Sequence, residues 1–347
     1  MSLGEALETA RRARGLTQEE LAKAIGVKQA TLSRYEQDRR EPDDETLANL
    51  AEALGVTESF LLGAGRLHGA MAIDAHMRKK ATAKPTVWRQ LEAKLNMYRM
   101  HARQLFEEVS VRTSQHLPTF DPFDTDPASA ARMVRMQWKM PIGSVRNLTQ
   151  WVEAAGCLVI EEDFGTARVD GLSQWIGEYP IMLINMRAPT DRKRLTIAHE
   201  LGHLCLHATD VSEDMEQEAN AFAGEFLMPA EVIRPQLRTL TLGKLHDLKR
   251  EWGTSMQALI ERANDLGLVT PSQRTNLYKS LSAYGWRTRE PLSEELAVEA
   301  PQLLHSITDA LSSKGFTASD IAEKSGFAPG NVEQPFRPAR ARLLRAV

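Results

Sequence analysis

The sequence predicts a mainly α-helical protein with one small β-sheet, an α+β class. Apolar residues recur at spacings of three and four along most of the chain, which is typical of helices that bury one face. Runs typical of strands are confined to residues 157–185. The motifs indicate four segments: an all-α N-terminal domain over 1–65, a helical linker over 66–127, a mixed central domain over 128–290, and a C-terminal helical region over 291–347 that ends in a basic tail.

The composition is that of a soluble globular protein. Its 347 residues are 42% hydrophobic and 26% charged, with a formal net charge of −3. No apolar run is long enough to span a membrane, and the N terminus lacks the layout of a signal peptide. Cys157 and Cys205 lie in apolar stretches, which favours burial in a reducing compartment over a disulfide scaffold. We therefore expect a cytoplasmic protein without a membrane partner.

Residues 1–65 are expected to form five short helices. Thr17 and Glu20 have the spacing of a capping box, Gly26 marks a turn, and a polar helix follows over residues 28–36. That helix has the size of one that enters the major groove, where its exposed face can bind bases and phosphates. The residues expected to contact DNA from this helix and the loop after it are Lys28, Gln29, Thr31, Ser33, Arg34 and Arg39.

This N-terminal pattern resembles the Xre, or lambda-repressor, family of helix-turn-helix proteins. The resemblance rests on Thr17-Gln18-x-x-Leu21-Ala22-x-x-x-Gly26-Val27 and on Ser33-Arg34-Tyr35-Glu36. It implies an operator in double-stranded DNA as a partner, with Gln18 touching a phosphate. However, residues 1–65 hold 8 Lys and Arg against 12 Asp and Glu. Because phosphate contacts dominate DNA affinity, a helix-turn-helix that docks a protein is the alternative.

Residues 66–127 are expected to connect the N-terminal and central domains. A helix with an inward apolar stripe is predicted over residues 87–108, and we interpret it as a spacer or a dimer arm. Homodimerisation is therefore left open. A Pro- and Asp-rich run over residues 116–127 then leads into the central domain.

The central domain is expected to begin with two helices, over residues 130–139 and 144–155. A β-type run follows at residues 157–162. Residues 171–178 and 179–185 are predicted to form the two strands of a hairpin.

A buried helix over residues 190–207 carries His199-Glu200-Leu201-Gly202-His203, an H-E-x-x-H pattern. Side chains four apart share a helix face, so His199 and His203 can offer two imidazole nitrogens to one metal ion. Glu200 lies beside them and is suited to act as the general base for an attacking water. Buried His and Glu side chains need a shared partner, and a metal supplies one. The expected cofactor is Zn²⁺, with Mn²⁺ as the alternative.

A catalytic zinc site commonly has three protein ligands. The next helix begins near residue 216 and has a core-facing stripe that includes Phe222. Glu218 precedes Phe222 by one turn and is predicted as the third ligand, whereas Glu216 is predicted to be a solvated first-turn residue. His207 lies about 12 Å from His199 along a straight helix, so we expect it to support the site or the core and not to bind the ion.

The run over residues 189–204, followed by Glu218-Ala-Asn-Ala-Phe-Ala and Leu227-Met-Pro229, resembles the ImmA/IrrE family of metallopeptidases. The resemblance covers roughly residues 130–290. It implies a zincin-like, gluzincin-type domain with His199, His203 and Glu218 as metal ligands and Glu200 as the catalytic glutamate. Members of the family are implicated in cutting or inactivating helix-turn-helix repressors. A repressor of this kind, or a toxin, is therefore the expected protein partner.

Two functions are compatible with these motifs. The first is a DNA-binding transcriptional regulator whose zinc-dependent endopeptidase domain cleaves or inactivates a partner repressor in a stress-response or mobile-element circuit. The second is a non-proteolytic, metal-binding regulator or antitoxin. Glu200 favours the first, because a purely structural zinc has no use for a base beside its ligands. A peptide substrate is expected along one of the predicted strands near Trp175, for which a plain core role is the alternative.

The remainder of the chain is expected to be helical. From residue 240 the pattern is helix-turn-helix-like and is interpreted as scaffold, because its would-be reading face holds no basic set. Residues 315–327 parallel residues 15–27 position for position, and we interpret this as convergent helix-cap chemistry. The basic tail, which could touch DNA or a partner or could simply be a frayed end, contains Arg337, Arg340, Arg342 and Arg345.

Overall fold

The computed structural model describes residues 1–63, 84–109, 113–177, 179–208, 213–328, 331 and 335–336. Across these residues the protein is mainly helical with a three-stranded sheet, which confirms the predicted fold class. The start of the predicted linker and the arginines of the basic tail lie outside the described residues. None of the described helices is long and apolar enough to cross a lipid bilayer.

Helices precede and follow the three strands along the chain. The helices are α1 (Leu3–Ala13), α2 (Gln18–Ala24), α3 (Gln29–Glu36), α4 (Asp44–Leu54), α5 (Glu58–Gly63), α6 (Pro85–Glu108), α7 (Pro127–Gln137), α8 (Leu148–Ala154), α9 (Thr190–Leu206), α10 (Met215–Leu227), α11 (Ala230–Ile233), α12 (Leu242–Trp252), α13 (Met256–Asp265), α14 (Pro271–Ala283), α15 (Leu303–Ser313) and α16 (Ala318–Lys324). The strands, which lie between α8 and α9, are β1 (Leu158–Glu162), β2 (Gly171–Ile176) and β3 (Tyr179–Asn185).

The chain divides into two compact units. Met1–Arg112 and Gln302–Val347 form the first unit, and Thr113–Pro301 forms the second. These two units do not coincide with the four segments that the sequence predicts. The predicted linker is shared between the units, and the predicted C-terminal region belongs to the first unit from residue 302 onward.

The first unit contains the predicted helix-turn-helix. Thr17 caps α2: its hydroxyl accepts from the N–H of Glu20, and its own N–H donates to the Glu20 carboxylate at 2.7 Å, which confirms the predicted capping box. Gly26 adopts φ +72°, a left-handed conformation that suits glycine in the turn before α3. Leu21 and Leu32 are fully buried in the core of this unit, as expected.

An aromatic stack joins the C-terminal helices to the rest of the first unit. The centroid of the His101 ring in α6 lies 4.2 Å from that of Phe60 and 3.7 Å from that of Phe327. Nδ1 of His101 is 2.6 Å from the backbone oxygen of Ser325. Burial lowers the pKa of His101 to about 3, so the ring is neutral and donates this hydrogen bond. An isolated β-bridge between Val56 and Phe327 adds a backbone link.

The segment from α15 to α16 repeats the backbone structure between α1 and α2. Gly15 and Gly315 both have positive φ, at +71° and +94°. Thr17 and Thr317 each form a capping box with the residue three positions later. The parallel in sequence therefore corresponds to a parallel in structure as far as Phe327, which enters the aromatic stack.

The sheet of the second unit has the strand order β1-β3-β2. Strand β1 runs parallel to β3, with Leu158 opposite Ile181, and β2 runs antiparallel to β3, with Gly171 opposite Ile184. Strands β2 and β3 are the predicted hairpin. Helix α9 packs against β2 and β3 on one side and against α10 on another.

Two glycines allow α9 to lie close to both neighbours. A Cβ placed on Gly171 of β2 would be 2.5 Å from the methyl group of Thr196 and 3.2 Å from Cγ of Glu200. A Cβ placed on Gly202 of α9 would be 3.1 Å from Cβ of Phe222 in α10. Strand β2 and helix α10 are therefore held directly against the turn of α9 that carries the H-E-x-x-H pattern.

Candidate metal centre

His199 and His203 lie one helical turn apart on the same face of α9. Both are buried, and their Nε2 atoms are 3.0 Å apart. Glu216, in the first turn of α10, approaches both rings: carboxylate oxygens lie 3.6 Å from Nε2 of His199 and 3.4 Å from Nε2 of His203. One potential ligand atom from each of the three residues lies within 4.8 Å of the other two. The three side chains thus form a compact donor set.

Glu218, which we expected to be the third ligand, faces a different neighbour. Its Oε2 lies 2.7 Å from Nε2 of His207. Residues two apart on a helix are rotated by about 200°, so Glu216 and Glu218 leave α10 on different sides. The structure corrects the expectation that Glu218 points to the imidazole pair and that Glu216 is a solvated residue. The apolar stripe of α10 indicates its buried face, but it does not determine which first-turn carboxylate meets α9.

His207 does not belong to the donor set, as its distance from His199 along the helix predicts. Its side chain is fully buried, and its Nδ1 lies 3.1 Å from Nδ1 of His203. The interpretation of His207 as a supporting histidine therefore agrees with its position.

Asn220 contacts the site although the sequence reasoning does not single it out. Its side-chain oxygen lies 2.9 Å from Nδ1 of His199. Asn220 follows Glu216 by four residues, so both side chains project from the same face of α10 toward α9. The four-residue spacing of Glu216 and Asn220 is the feature of the sequence from which their shared helix face could be predicted.

The hydrogen bonds of the two imidazoles indicate that a cation fits between them. A neutral His199 that donates from Nδ1 to Asn220 carries a lone pair on Nε2 that is directed at the site. A neutral His203 that donates from Nδ1 to His207 directs its Nε2 lone pair to the same place. Two such lone pairs repel one another, and a divalent ion between them removes the repulsion. Two imidazoles and a carboxylate are a donor set that zinc accepts.

Glu200 follows His199 in α9 and contacts strand β2. Its side chain is buried, and the hydroxyl of Ser173 in β2 donates to its Oε2 at 2.7 Å. This contact joins residues 27 positions apart, so no local sequence pattern predicts it. Ser173 thereby holds the carboxylate of Glu200 in one orientation.

Strand β2 lies at an edge of the sheet. The N–H of Asn185 donates to the carbonyl of Asp170 at 2.8 Å, so these two residues are a hydrogen-bonded pair of the antiparallel ladder. Such pairs alternate along an antiparallel ladder, so every second residue of β2 after Asp170 is also hydrogen-bonded to β3. The backbone groups of Gly171, Ser173 and Trp175 consequently face away from β3. The ring of Trp175 packs half-buried on the core of the second unit, and its Nε1 donates to the carbonyl of Leu204 at 3.1 Å.

The residues predicted to contact DNA lie around α2 and α3 of the first unit. Gln18 Nε2 donates to the Glu36 carboxylate at 2.7 Å, and its Oε1 accepts from Gln29 at 2.6 Å. A buried ion pair between Arg11 and Glu36 supports this chain of contacts, and sequence reasoning missed it. The other predicted residues, which lie on α3, immediately before it or in the loop after it, are Lys28, Thr31, Ser33, Arg34 and Arg39.

Two family models match the chain. Residues 7–61 match the helix-turn-helix family, and residues 152–264 match a peptidase family described as the IrrE N-terminal-like domain. The second range contains the donor set and Glu200. The chain therefore combines a helix-turn-helix domain with a metallopeptidase-type domain, and both resemblances drawn from the sequence are confirmed.

Two curated proteins of Bacillus subtilis (strain 168) are similar to part of the chain. The HTH-type transcriptional regulator ImmR is 43% identical over 63 residues, which are 18% of this chain and 50% of ImmR. The SPbeta prophage-derived uncharacterized HTH-type transcriptional regulator YonR is 37% identical over 59 residues, which are 17% of this chain and 55% of YonR. The chain thus spans about half the length of the curated relatives it matches.

Proposed function

We propose that this protein is a DNA-binding transcriptional regulator whose metallopeptidase domain cleaves, and so inactivates, a partner regulatory protein. The observation that carries the proposal is the convergence of His199, His203 and Glu216, with the buried residue Glu200 next to His199 in the same helix. A structural zinc site needs four protein ligands, whereas a catalytic one has three and leaves a position for water or substrate.

The proposed cofactor is Zn²⁺, with Mn²⁺ as the alternative, and the proposed ligands are His199, His203 and Glu216. Glu216 replaces Glu218 in this set because its oxygens approach both Nε2 atoms. When bound, zinc supplies Lewis-acid polarisation of the scissile carbonyl and makes water at the site more acidic.

Glu200 is the proposed general base. It takes a proton from the attacking water and passes it to the leaving amine, so that the peptide bond breaks and the proton is conserved. Ser173 orients the Glu200 carboxylate for both transfers through the bond to Oε2.

The proposed substrate is an extended segment of a protein. The outward backbone groups of Gly171, Ser173 and Trp175 on the edge of β2 lie on the strand that holds Glu200, and they can pair with an added strand. A helix-turn-helix repressor with an accessible segment is the proposed partner, with a toxin as the alternative.

The proposed role of the first unit is to bind an operator in double-stranded DNA. Glu36 holds Gln18, and Gln18 in turn accepts a hydrogen bond from Gln29. The remaining predicted contacts are Lys28, Thr31, Ser33, Arg34 and Arg39. The acidic balance of residues 1–65 weakens the electrostatic part of DNA binding. Homodimerisation, which doubles the phosphate contacts, is therefore part of the proposal.

The experiment compares the purified full chain with its Glu200→Gln variant. We expect both proteins to bind one equivalent of zinc by elemental analysis and to have the same circular dichroism. Wild-type protein should cleave members of a proteome-derived peptide library, detected by mass spectrometry, and the variant should not. If wild-type protein cleaves neither the library nor candidate repressors but shifts operator DNA, the non-proteolytic regulator or antitoxin replaces the peptidase.

A further inference from the structure

We infer that Glu218 and His207 form a hydrogen-bonded relay that fixes the tautomer and ring orientation of the metal ligand His203. The inference rests on the proposed metal centre and assigns a positioning role to two residues outside the donor set. It also accounts for Glu218, the carboxylate that does not reach the imidazole pair.

The relay consists of two contacts, one between Glu218 and His207 and one between His207 and His203. The Oε2 of Glu218 lies 2.7 Å from Nε2 of His207, and Nδ1 of His207 lies 3.1 Å from Nδ1 of His203. The His207 side chain is 0% exposed, and that of Glu218 is 22% exposed. The bond between the two imidazoles is buried and the bond to Glu218 is partly buried, and hydrogen bonds shielded from water are stronger than exposed ones.

The direction of each hydrogen bond follows from ligation. If His203 binds a cation through Nε2, its proton must be on Nδ1, because a neutral imidazole carries one N–H. His203 then donates from Nδ1, and Nδ1 of His207 must accept. The proton of His207 is therefore on Nε2, where the Glu218 carboxylate accepts it.

The carboxylate thereby selects the tautomers of both rings. If the acceptor at Nε2 is removed, His207 can carry its proton on Nδ1. Two N–H groups would then face each other across the 3.1 Å between the Nδ1 atoms of His207 and His203. His203 would have to turn or to move its proton to Nε2, the atom that binds the ion.

The two metal-binding histidines are thus oriented by different means. His199 donates directly to the side-chain oxygen of Asn220, whereas His203 reaches a carboxylate through a second imidazole. Helix α10 supplies the terminal acceptor in both cases. A single helix consequently holds the third ligand, Glu216, and the orienting groups for the other two.

The test measures zinc affinity of the full chain by competition with a chromogenic chelator. We expect Glu218→Ala and His207→Leu each to lower the affinity about 10- to 100-fold, the usual effect of removing a group that orients a ligand. His207→Gln should bind zinc more tightly than His207→Leu, because a Gln oxygen can accept from Nδ1 of His203. The matched control is Gln217→Ala, which removes the exposed neighbour of Glu218 and should bind zinc as the wild type does.

A second measurement reads the tautomers directly. Long-range ¹H–¹⁵N spectra of the zinc-loaded protein, with ¹⁵N-labelled histidine, should show a proton on Nδ1 of His203 and on Nε2 of His207. In Glu218→Ala the His207 signal should change tautomer or become a mixture. Loss of packing alone would not produce this change.

The outcomes separate the relay from the proposed function. Wild-type protein that binds zinc, together with unchanged affinity in Glu218→Ala or equal losses in the two His207 variants, would overturn the relay alone. Wild-type protein that binds no zinc would overturn the metal centre and the relay with it. Absence of peptide cleavage, with the expected order of zinc affinities, would overturn the peptidase and leave the relay standing.

Discussion

His199 donates a hydrogen bond from Nδ1 to the side-chain oxygen of Asn220, and the two atoms are 2.9 Å apart. The bond joins α9 to α10 at a residue of the donor set. In a neutral His199 it leaves Nε2 as the unprotonated nitrogen, which is the form that a metal requires. Asn220 therefore determines which nitrogen of His199 is available.

Replacing Asn220 tests this role. Asn220→Ala removes the acceptor, and we expect zinc affinity to fall about 10- to 100-fold in chelator competition. Asn220→Asp keeps an acceptor at the same place and should retain tight binding. Equal affinities for the Ala variant and the wild type would show that the bond does not contribute to metal binding.

Replacing one or the other of the two first-turn carboxylates of α10 is expected to affect zinc binding to different extents. Glu216→Ala removes a proposed ligand, so we expect dialysed protein to lose stoichiometric zinc by elemental analysis. Glu218→Ala should retain more zinc than Glu216→Ala, because Glu218 contacts His207 and not the imidazole pair. The reverse order would restore Glu218 as the third ligand.

Acid should destabilise the first unit through His101. The folded-state pKa is about 3, below the ordinary value of 6.5, so between these values the unfolded chain binds a proton that the folded chain does not. The free energy of unfolding therefore falls as pH is lowered through this window, by about 1.4 kcal/mol per pH unit from this group.

Urea unfolding of the full chain at several pH values from about 4.5 to 7, which lie mostly within this window, measures the slope. His101→Phe keeps a flat ring between Phe60 and Phe327 but cannot bind a proton, so it should show a shallower dependence on pH. The same slope in wild type and variant would contradict the assignment to His101.

Gln29 is expected to read a base in the operator. Its amide matches the hydrogen-bonding edge of adenine, so Gln29→Ala should lose about 1–3 kcal/mol of binding at one base position. The measurement is a titration of DNA selected from a random pool, followed by titration of single-base variants. Lys23→Ala removes an exposed basic residue of α2 outside the predicted set and should preserve the base preference. Unchanged base preference in Gln29→Ala would exclude this role.

Much of the fold could be predicted because its signals are local. The capping box at Thr17, the hairpin of β2 and β3, and the helix that carries His199 and His203 each depend on residues a few positions apart. Local periodicity and capping act within one element, so the sequence shows them directly.

The third member of the donor set could not be predicted in this way. Glu216 and Glu218 both lie in the first turn of α10, and the choice between them depends on how α10 is rotated against α9. The close approach of Gly202 to Phe222 contributes to that rotation. Ser173 and the stack around His101 likewise join residues that are far apart in the chain.

The sequence by itself therefore determined that His199 and His203 share a helix face with Glu200 beside them, because a spacing of four residues is a property of one helix. Only the tertiary structure decided that Glu216 and Asn220 meet these histidines, that Glu218 meets His207, and that residues from 302 onward join the helix-turn-helix unit. These relations arise between separate elements, whose relative rotation is set by side-chain packing across the whole core.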